Sequence, residues 1–340
     1  MTTGVRISGE AWGNFLLSNS DSYKIYAPVK RENIIDYELI NVSNLDGITY
    51  NLPKPITPLK VFFLPVKENV FKEQKEQKRN LIIGVPACDL AALDILDEFY
   101  LREPFIDPFY KKRRDNTVLI GTPCFETLEH CHCTTYGVNP FPEKSFDVLL
   151  FKIEDSINLT WGSDKGEEFI NQLKEQIGAC EEVSDEIIDT IETKRKEVIA
   201  ALNKSNAELP DYKETGELIK NSDDDIWEKY SSKCVSCGGC STICPTCTCF
   251  LLVDRPGFEK VRQMDACQYP GFARVAAGED PMKELARRFK NRYMCKYVWK
   301  PQKFEGLTCT GCGRCIETCI GRIDKNELFK ELAETTVSSA

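Results

Sequence analysis

Two cysteine runs of identical spacing constrain this chain more than any other feature. Cys234, Cys237, Cys240 and Cys244 form one C-x2-C-x2-C-x3-C run, with Pro245 after it; Cys309, Cys312, Cys315 and Cys319 form the other, followed by Ile320. A loop of this kind brings three thiolates onto one iron–sulfur cube, and in two-cluster ferredoxins the fourth cysteine of each run serves the other cube. Glycines within the runs let the backbone curl around the inorganic core. The spacing therefore predicts one 4Fe-4S cluster on Cys234, Cys237, Cys240 and Cys319, and a second on Cys309, Cys312, Cys315 and Cys244. Zinc knuckles pair their ligands two and two, which these runs do not. Structural disulfides are disfavoured by an odd total of 17 cysteines and by the lack of an apolar N-terminal leader.

The bulk properties narrow the function classes. A chain of 340 residues has room for two or three domains. No stretch approaches the roughly eighteen uninterrupted apolar residues of a membrane span. A net charge of −9 argues against a nucleic-acid or anionic-membrane partner. So many thiols without a secretion signal point to a reducing, anaerobic cytoplasm.

The expected fold class is α+β, in three parts. Residues 1–160 read as a mixed α/β domain, with short apolar runs at Lys24–Ala27, Tyr50–Pro53 and Lys60–Pro65. Leu81–Val85 reads as a buried strand leading through a turn at Pro86–Asp89 into a helix at Leu90–Tyr100. Thr117–Gly121 and Phe146–Ile153 read as further strands. Residues 161–230 are charged and helical in period (Glu168–Ile177, Asp185–Leu202, Glu217–Tyr230) and read as a solvated connector. Residues 231–335 carry the two runs. The long interval between them holds a helical stretch at Pro281–Tyr293, which favours an α-helical ferredoxin-like dicluster domain over a β-hairpin module with a large insertion.

A second set of thiols lies in the N-terminal domain. Cys88, Cys124, Cys131 and Cys133 each sit in a turn, the first two at the carboxyl ends of strands where α/β sheets place their ligands. Cys88 also opens a helix, whose free N–H groups favour an anionic group. A third 4Fe-4S cluster is expected here rather than inert thiols. The only histidines, His130 and His132, flank Cys131. They read as polar loop positions that hydrogen-bond a sulfide, with cluster ligation or a mixed Cys/His zinc site as the alternatives. Four further thiols, Cys247, Cys249, Cys267 and Cys295, either bind an additional centre or pack around the first two. Cys180 has no companion and reads as an incidental thiol. Neither G-x-G-x-x-G nor G-x-x-x-x-G-K is present, so nucleotide cofactors have no support.

Residues Gly84–Leu93, the Cys131-His132-Cys133 loop, Cys244–Phe250, and Asp265-Ala266-Cys267 followed by Ala276-Ala277-Gly278 carry a family resemblance. With the final run, they resemble a 4Fe-4S dicluster family. Its members include the beta subunit of cytoplasmic nickel–iron sulfhydrogenases, and a related iron–sulfur subunit of anaerobic sulfite reductase. The chain departs from that pattern at Cys295, where relatives tend to have His, and at Pro86, where they often show Arg. The resemblance implies an electron-transfer subunit of a soluble multi-subunit oxidoreductase. Its expected partners are a flavoprotein subunit oxidising NAD(P)H and a catalytic subunit of nickel–iron hydrogenase, sirohaem sulfite reductase or heterodisulfide reductase type. Two other readings remain open: direct sulfur or polysulfide reduction at an N-terminal cluster, and a zinc-binding scaffold without redox function.

Overall fold

The computed structural model describes residues 4–71, 78–257, 259–304 and 306–338. Its strands are β1 (Val5–Ser8), β2 (Tyr23–Arg31), β3 (Ile34–Leu39), β4 (Lys67–Asn69), β5 (Arg79–Pro86), β6 (Thr117–Thr122), β7 (Val148–Ile153), β8 (Ser156–Trp161), β9 (Glu181–Glu182), β10 (Phe250–Arg255) and β11 (Glu259–Met264).

The apolar run Leu81–Val85 becomes the centre of an eight-stranded sheet ordered β3-β2-β5-β6-β7-β8-β1-β9. Strands β2, β5, β6 and β7 run parallel, as expected for strands buried on both faces. Alternation assigns the two faces. Leu81, Ile83, Val118 and Ile120 pack with Trp12, Phe15, Phe169 and Ile170, which lie on the helices Gly9–Ser18 and Asp164–Ile177. Ile82, Val85 and Leu119 pack with Leu90, Leu93 and Leu96 on the helix Ala87–Tyr100. Each such side chain contributes about 1.5–3 kcal/mol by leaving water. Gly84 marks a bulge in β5: its φ is +75°, and a Cβ there would stand 2.6 Å from the Pro28 ring.

The N-terminal fold departs locally from the sequence reading. Lys60–Pro65 is not a strand; Leu59–Phe62 forms a 3-10 turn that buries Leu59, Lys60 and Phe63. Tyr50–Pro53 is irregular as well, since Asn51 adopts a φ of 57° that breaks the pleat.

Residues 161–230 do not form a free connector. The helix Asp164–Ile177 and strand β9 belong to the N-terminal layer. The helices Tyr212–Asn221 and Asp224–Ser231 give Tyr212, Ile219 and Trp227 to the C-terminal core, against Phe289, Tyr293, Tyr297 and Phe329. The helix Asp185–Ser205 packs Val198 and Leu202 against Cys133. The hydrophobic positions within these charged helices decide where each one docks.

The C-terminal body is helical around the cysteine loops, and the interval between the runs also contains the hairpin β10–β11. That hairpin pairs with β4 of the N-terminal half. The join is held by Glu68, a buried carboxylate that accepts from both Arg113 and Arg262. The fold is thus α+β, with the two bodies sharing a small sheet. Among the described residues no helix is long and apolar enough to cross a membrane.

Candidate metal centres

The thiols of the two runs line two adjacent hollows. One hollow is lined by Cys234, Cys237, Cys240 and Cys319, with Cys315 behind them. A second is lined by Cys309, Cys312, Cys315 and Cys244. Short helices, Gly239–Thr242 and Arg314–Glu317, follow glycines at positive φ, Gly238 (+70°) and Gly313 (+76°), which turn each loop back onto its thiols. Groups that stabilise thiolate are already aimed at the sulfurs. The Ile323 N–H donates to Cys319 Sγ at 3.3 Å, and the Thr246 hydroxyl lies 3.3 Å from Cys244 Sγ.

A third hollow gathers the N-terminal set. Cys88, Cys124, Cys131 and Cys133 line it together with Lys54, Gly311 and Cys312. The first two come from the carboxyl ends of β5 and β6, the other two from the loop that follows β6. Val198 and Leu202 of the helix Asp185–Ser205 close it. Burial pushes the Cys88 and Cys124 thiols well up, and the Cys133 thiol up to about 12. Burial also raises Cys312 to about 12 and Cys240 to about 11. Such thiols stay protonated at neutral pH unless a metal displaces the proton.

The fourth set, Cys247, Cys249, Cys267 and Cys295, stands beside the second hollow. Cys247 donates to Cys244, whose thiol is held well below its ordinary range by that bond. Cys180 packs against the N-terminal sheet, away from all four sets.

The second and third hollows are neighbours. The His132 N–H donates to the Gly311 carbonyl at 2.9 Å. A Cβ on Gly311 would stand 2.4 Å from the His132 oxygen, and one on Gly313 would stand 2.4 Å from the His130 oxygen. A buried ion pair ties the same loops: Arg314 Nη1 and Nη2 donate to the Asp89 carboxylate at 2.6 and 2.8 Å. Lys54 Nζ reaches Glu317 at 2.7 Å beside them.

His132 departs from the expected sulfide donor, because both of its ring nitrogens are engaged within the protein. His132 is fully buried; its Nδ1 lies 2.8 Å from the His130 carbonyl, and its Nε2 lies 2.8 Å from Lys325 Nζ. The ammonium can only donate, so Nε2 accepts, Nδ1–H donates to the carbonyl, and neither nitrogen is free for a metal. Burial, and then the Lys325 charge, hold its imidazole well below the usual range. His130 sits 3.8 Å from Asp324.

Sequence reasoning missed the buried cations. Arg292, Lys296 and Lys325 are 5%, 4% and 3% exposed, and all three line one or both C-terminal hollows. Among the described residues none has a carboxylate partner. Arg292 donates to the Cys240 carbonyl, and Lys296 donates to Thr246 Oγ1 and the Thr308 carbonyl. A buried cation without a counter-ion costs several kcal/mol, so an anion is called for in these hollows. A thiolate-bound cubane, with its net negative charge, fits that demand. Arg292 lies in the helical stretch Pro281–Tyr293 and Lys296 just after it, but periodicity alone does not say which charges are buried. Among the described residues no three His, Cys, Asp or Glu side chains converge where one ion would sit. Thiols spread around a hollow suit a cube held at its corners, and tetrahedral zinc needs sulfurs about 2.3 Å from one point.

Comparison with known proteins agrees with this geometry. A family model described as a 4Fe-4S dicluster domain matches residues 233–323. The chain is 30% identical over 343 residues to the sulfhydrogenase 2 subunit beta of Pyrococcus furiosus, covering 97% of this chain and 98% of that protein. The chain belongs to this dicluster family. The cysteine-rich C-terminal part is therefore an iron–sulfur domain. No solved structure matches it.

Proposed function

We propose that this chain is the iron–sulfur electron-transfer subunit of a multi-subunit anaerobic oxidoreductase. It would pass electrons between a flavoprotein subunit that oxidises NAD(P)H and a catalytic subunit of nickel–iron hydrogenase, sirohaem sulfite reductase or heterodisulfide reductase type. One observation carries the reading. Three buried cations without carboxylates close on two hollows, each lined by three thiols of one run and the fourth of the other. The partner classes are supported by likeness, over nearly the whole chain, to the beta subunit of a sulfhydrogenase.

A 4Fe-4S cluster, when bound, takes up and gives back one electron. The chain's own residues hold and insulate it. Cys88, Cys124, Cys131 and Cys133 would hold a third cluster beside the crossed pair. Cys312 lines both the second and the third hollow, and Arg292, Cys315 and Lys325 line both the first and the second. This adjacency supports a relay in the order third, second, first, with Cys237, the exposed thiol, at its outer end.

Anaerobic reconstitution followed by iron and acid-labile sulfide analysis tests the proposal. Brown protein is expected, with Cys234→Ser and Cys312→Ser each losing one reduced-state EPR signal and Cys88→Ser losing a third. Colourless protein, or zinc in place of iron, overturns it. The isolated chain is expected to be inert toward polysulfide with a chemical reductant; turnover would favour direct reduction at the N-terminal site.

A further inference from the structure

The third and fourth thiol sets share one pattern: a C-x-C pair joined by two cysteines from separate segments. In the third set the pair is Cys131 and Cys133, and in the fourth it is Cys247 and Cys249. The fourth set draws Cys267 from the turn after β11 and Cys295 from the helical stretch Met294–Trp299. Folding brings all four together. The Asp265 N–H donates to the Cys249 carbonyl at 3.0 Å, two residues before Cys267, and Lys296, next to Cys295, donates to Thr246 Oγ1 at 2.5 Å, one residue before Cys247.

Three independent features around this set point to a bound anion. The first is Lys60, which is 1% exposed and, among the described residues, has no carboxylate partner. Its ammonium donates only to the carbonyls of Ser241 and Cys247, at 3.4 and 3.2 Å. The second is a pair of donors already placed on one sulfur: the Ser241 hydroxyl and the Gln268 amide nitrogen each lie 3.8 Å from Cys267 Sγ. Polar groups aimed at sulfur are what tunes a cluster ligand, and a buried structural thiol does not need them. The third is the backbone of Met294–Trp299, which adopts a π-helix. Such widened turns concentrate at functional positions, and this one carries Cys295.

We propose that Cys247, Cys249, Cys267 and Cys295 hold a fourth iron–sulfur cluster, beside the second one. The proposal shares with the proposed function the premise that the chain takes up iron and sulfide, but it uses none of the same ligands. The Cys247 N–H donates to the carbonyl of Cys244, which lines the second hollow, at 3.3 Å, and this places the fourth centre next to it. The second site then becomes a junction with neighbours on three sides.

The full chain, reconstituted anaerobically, is assayed for iron, sulfide and zinc and by Mössbauer spectroscopy. The parent is expected to hold the iron of four cubes, about sixteen atoms. Cys249→Ala and Cys295→Ala, on different segments, should each lose about four irons and keep the remaining clusters' spectra. Cys234→Ala, as control, should lose its own cluster and keep the fourth. A parent with about twelve irons overturns this proposal alone, as do variants that match the parent or zinc bound at this set. An iron-free parent overturns this proposal and the proposed function together.

Discussion

Lys325→Met is the sharpest test of the charge argument. The Lys325 ammonium lines both C-terminal hollows and donates to His132 Nε2 at 2.8 Å, Asn326 Oδ1 at 3.2 Å and the Tyr297 hydroxyl at 3.3 Å. It also lies 4.9 Å from the centre of the Phe329 ring. None of these partners is an anion. Methionine keeps most of the length and removes the charge. A unit charge about 7 Å from a cluster centre, at an effective dielectric of about 20, is worth about 2.4 kcal/mol. For one electron that converts to about 100 mV. Reduction adds negative charge to a cluster, so losing the cation disfavours the reduced form, and both C-terminal potentials should fall. An EPR-monitored redox titration under argon reads the shift, and Lys325→Arg, which keeps the charge, should largely restore it. The same substitution should act with the opposite sign on metal-free protein. There the buried ammonium has no counter-ion, so its removal should raise the urea midpoint. Unchanged potentials at both clusters would refute the reasoning, and a fall at only one would refute the sharing.

Other outcomes follow from the packing. Arg314→Ala leaves the Asp89 carboxylate buried and unpaired, and should cost about 3–5 kcal/mol in urea unfolding; an unchanged midpoint would contradict the pairing. Gly311→Ala should disrupt the second and third sites, read as lost iron, because its Cβ would meet the His132 oxygen at 2.4 Å. Gly137→Ala has a similar φ of +70° with nothing within 4 Å, so it should cost only about 1–2 kcal/mol of backbone strain and retain iron. His132 stays neutral when folded, whereas the unfolded chain takes up its proton below about pH 6.5. Stability should therefore fall as pH drops through that value, by about 1.4 kcal/mol per unit, and His132→Gln should remove that slope in guanidinium melts. A fragment beginning at Ser231 should fail to fold cooperatively by circular dichroism. It lacks Ile219 and Trp227, buried at 0% and 1% exposure, each worth about 1.5–3 kcal/mol.

The grouping of the C-terminal thiols was legible because they sit in two short loops of regular spacing. The central strands were legible for a similar reason, since Leu81–Val85 and Thr117–Gly121 are uninterrupted apolar runs. The assembly of Cys88 and Cys124 with Cys131 and Cys133 was only partly so. The turns were visible, but their convergence depends on β5 and β6 being parallel neighbours. Lys60 shows where sequence reading ran out. The apolar run Lys60–Pro65 suggested a strand, whereas Leu59–Phe62 turns as a 3-10 segment and buries the Lys60 ammonium. The helical segments of 161–230 were found, but their allegiance was not. Periodicity reports that a helix has an apolar face without saying which body covers it.

The position of the ion pairs bears on why the two bodies are fused rather than merely joined. Asp89 follows Cys88 in sequence, and Arg314 precedes Cys315, both of them proposed cluster ligands. Their bidentate contact therefore fixes the N-terminal turn and the C-terminal loop against each other at the ligands themselves. Gly311 and Gly313 remove the side chains that would hold those loops apart. Tyr136, one short loop after Cys133, packs in the C-terminal core with Tyr212 and Tyr297. A flexible linker would let the third site drift from the second, and transfer between centres depends on their separation staying fixed. Buried charge pairs contribute little net stability, but they impose one geometry because any other leaves a charge unpaired. Here that geometry is the one that keeps the second and third sites adjacent.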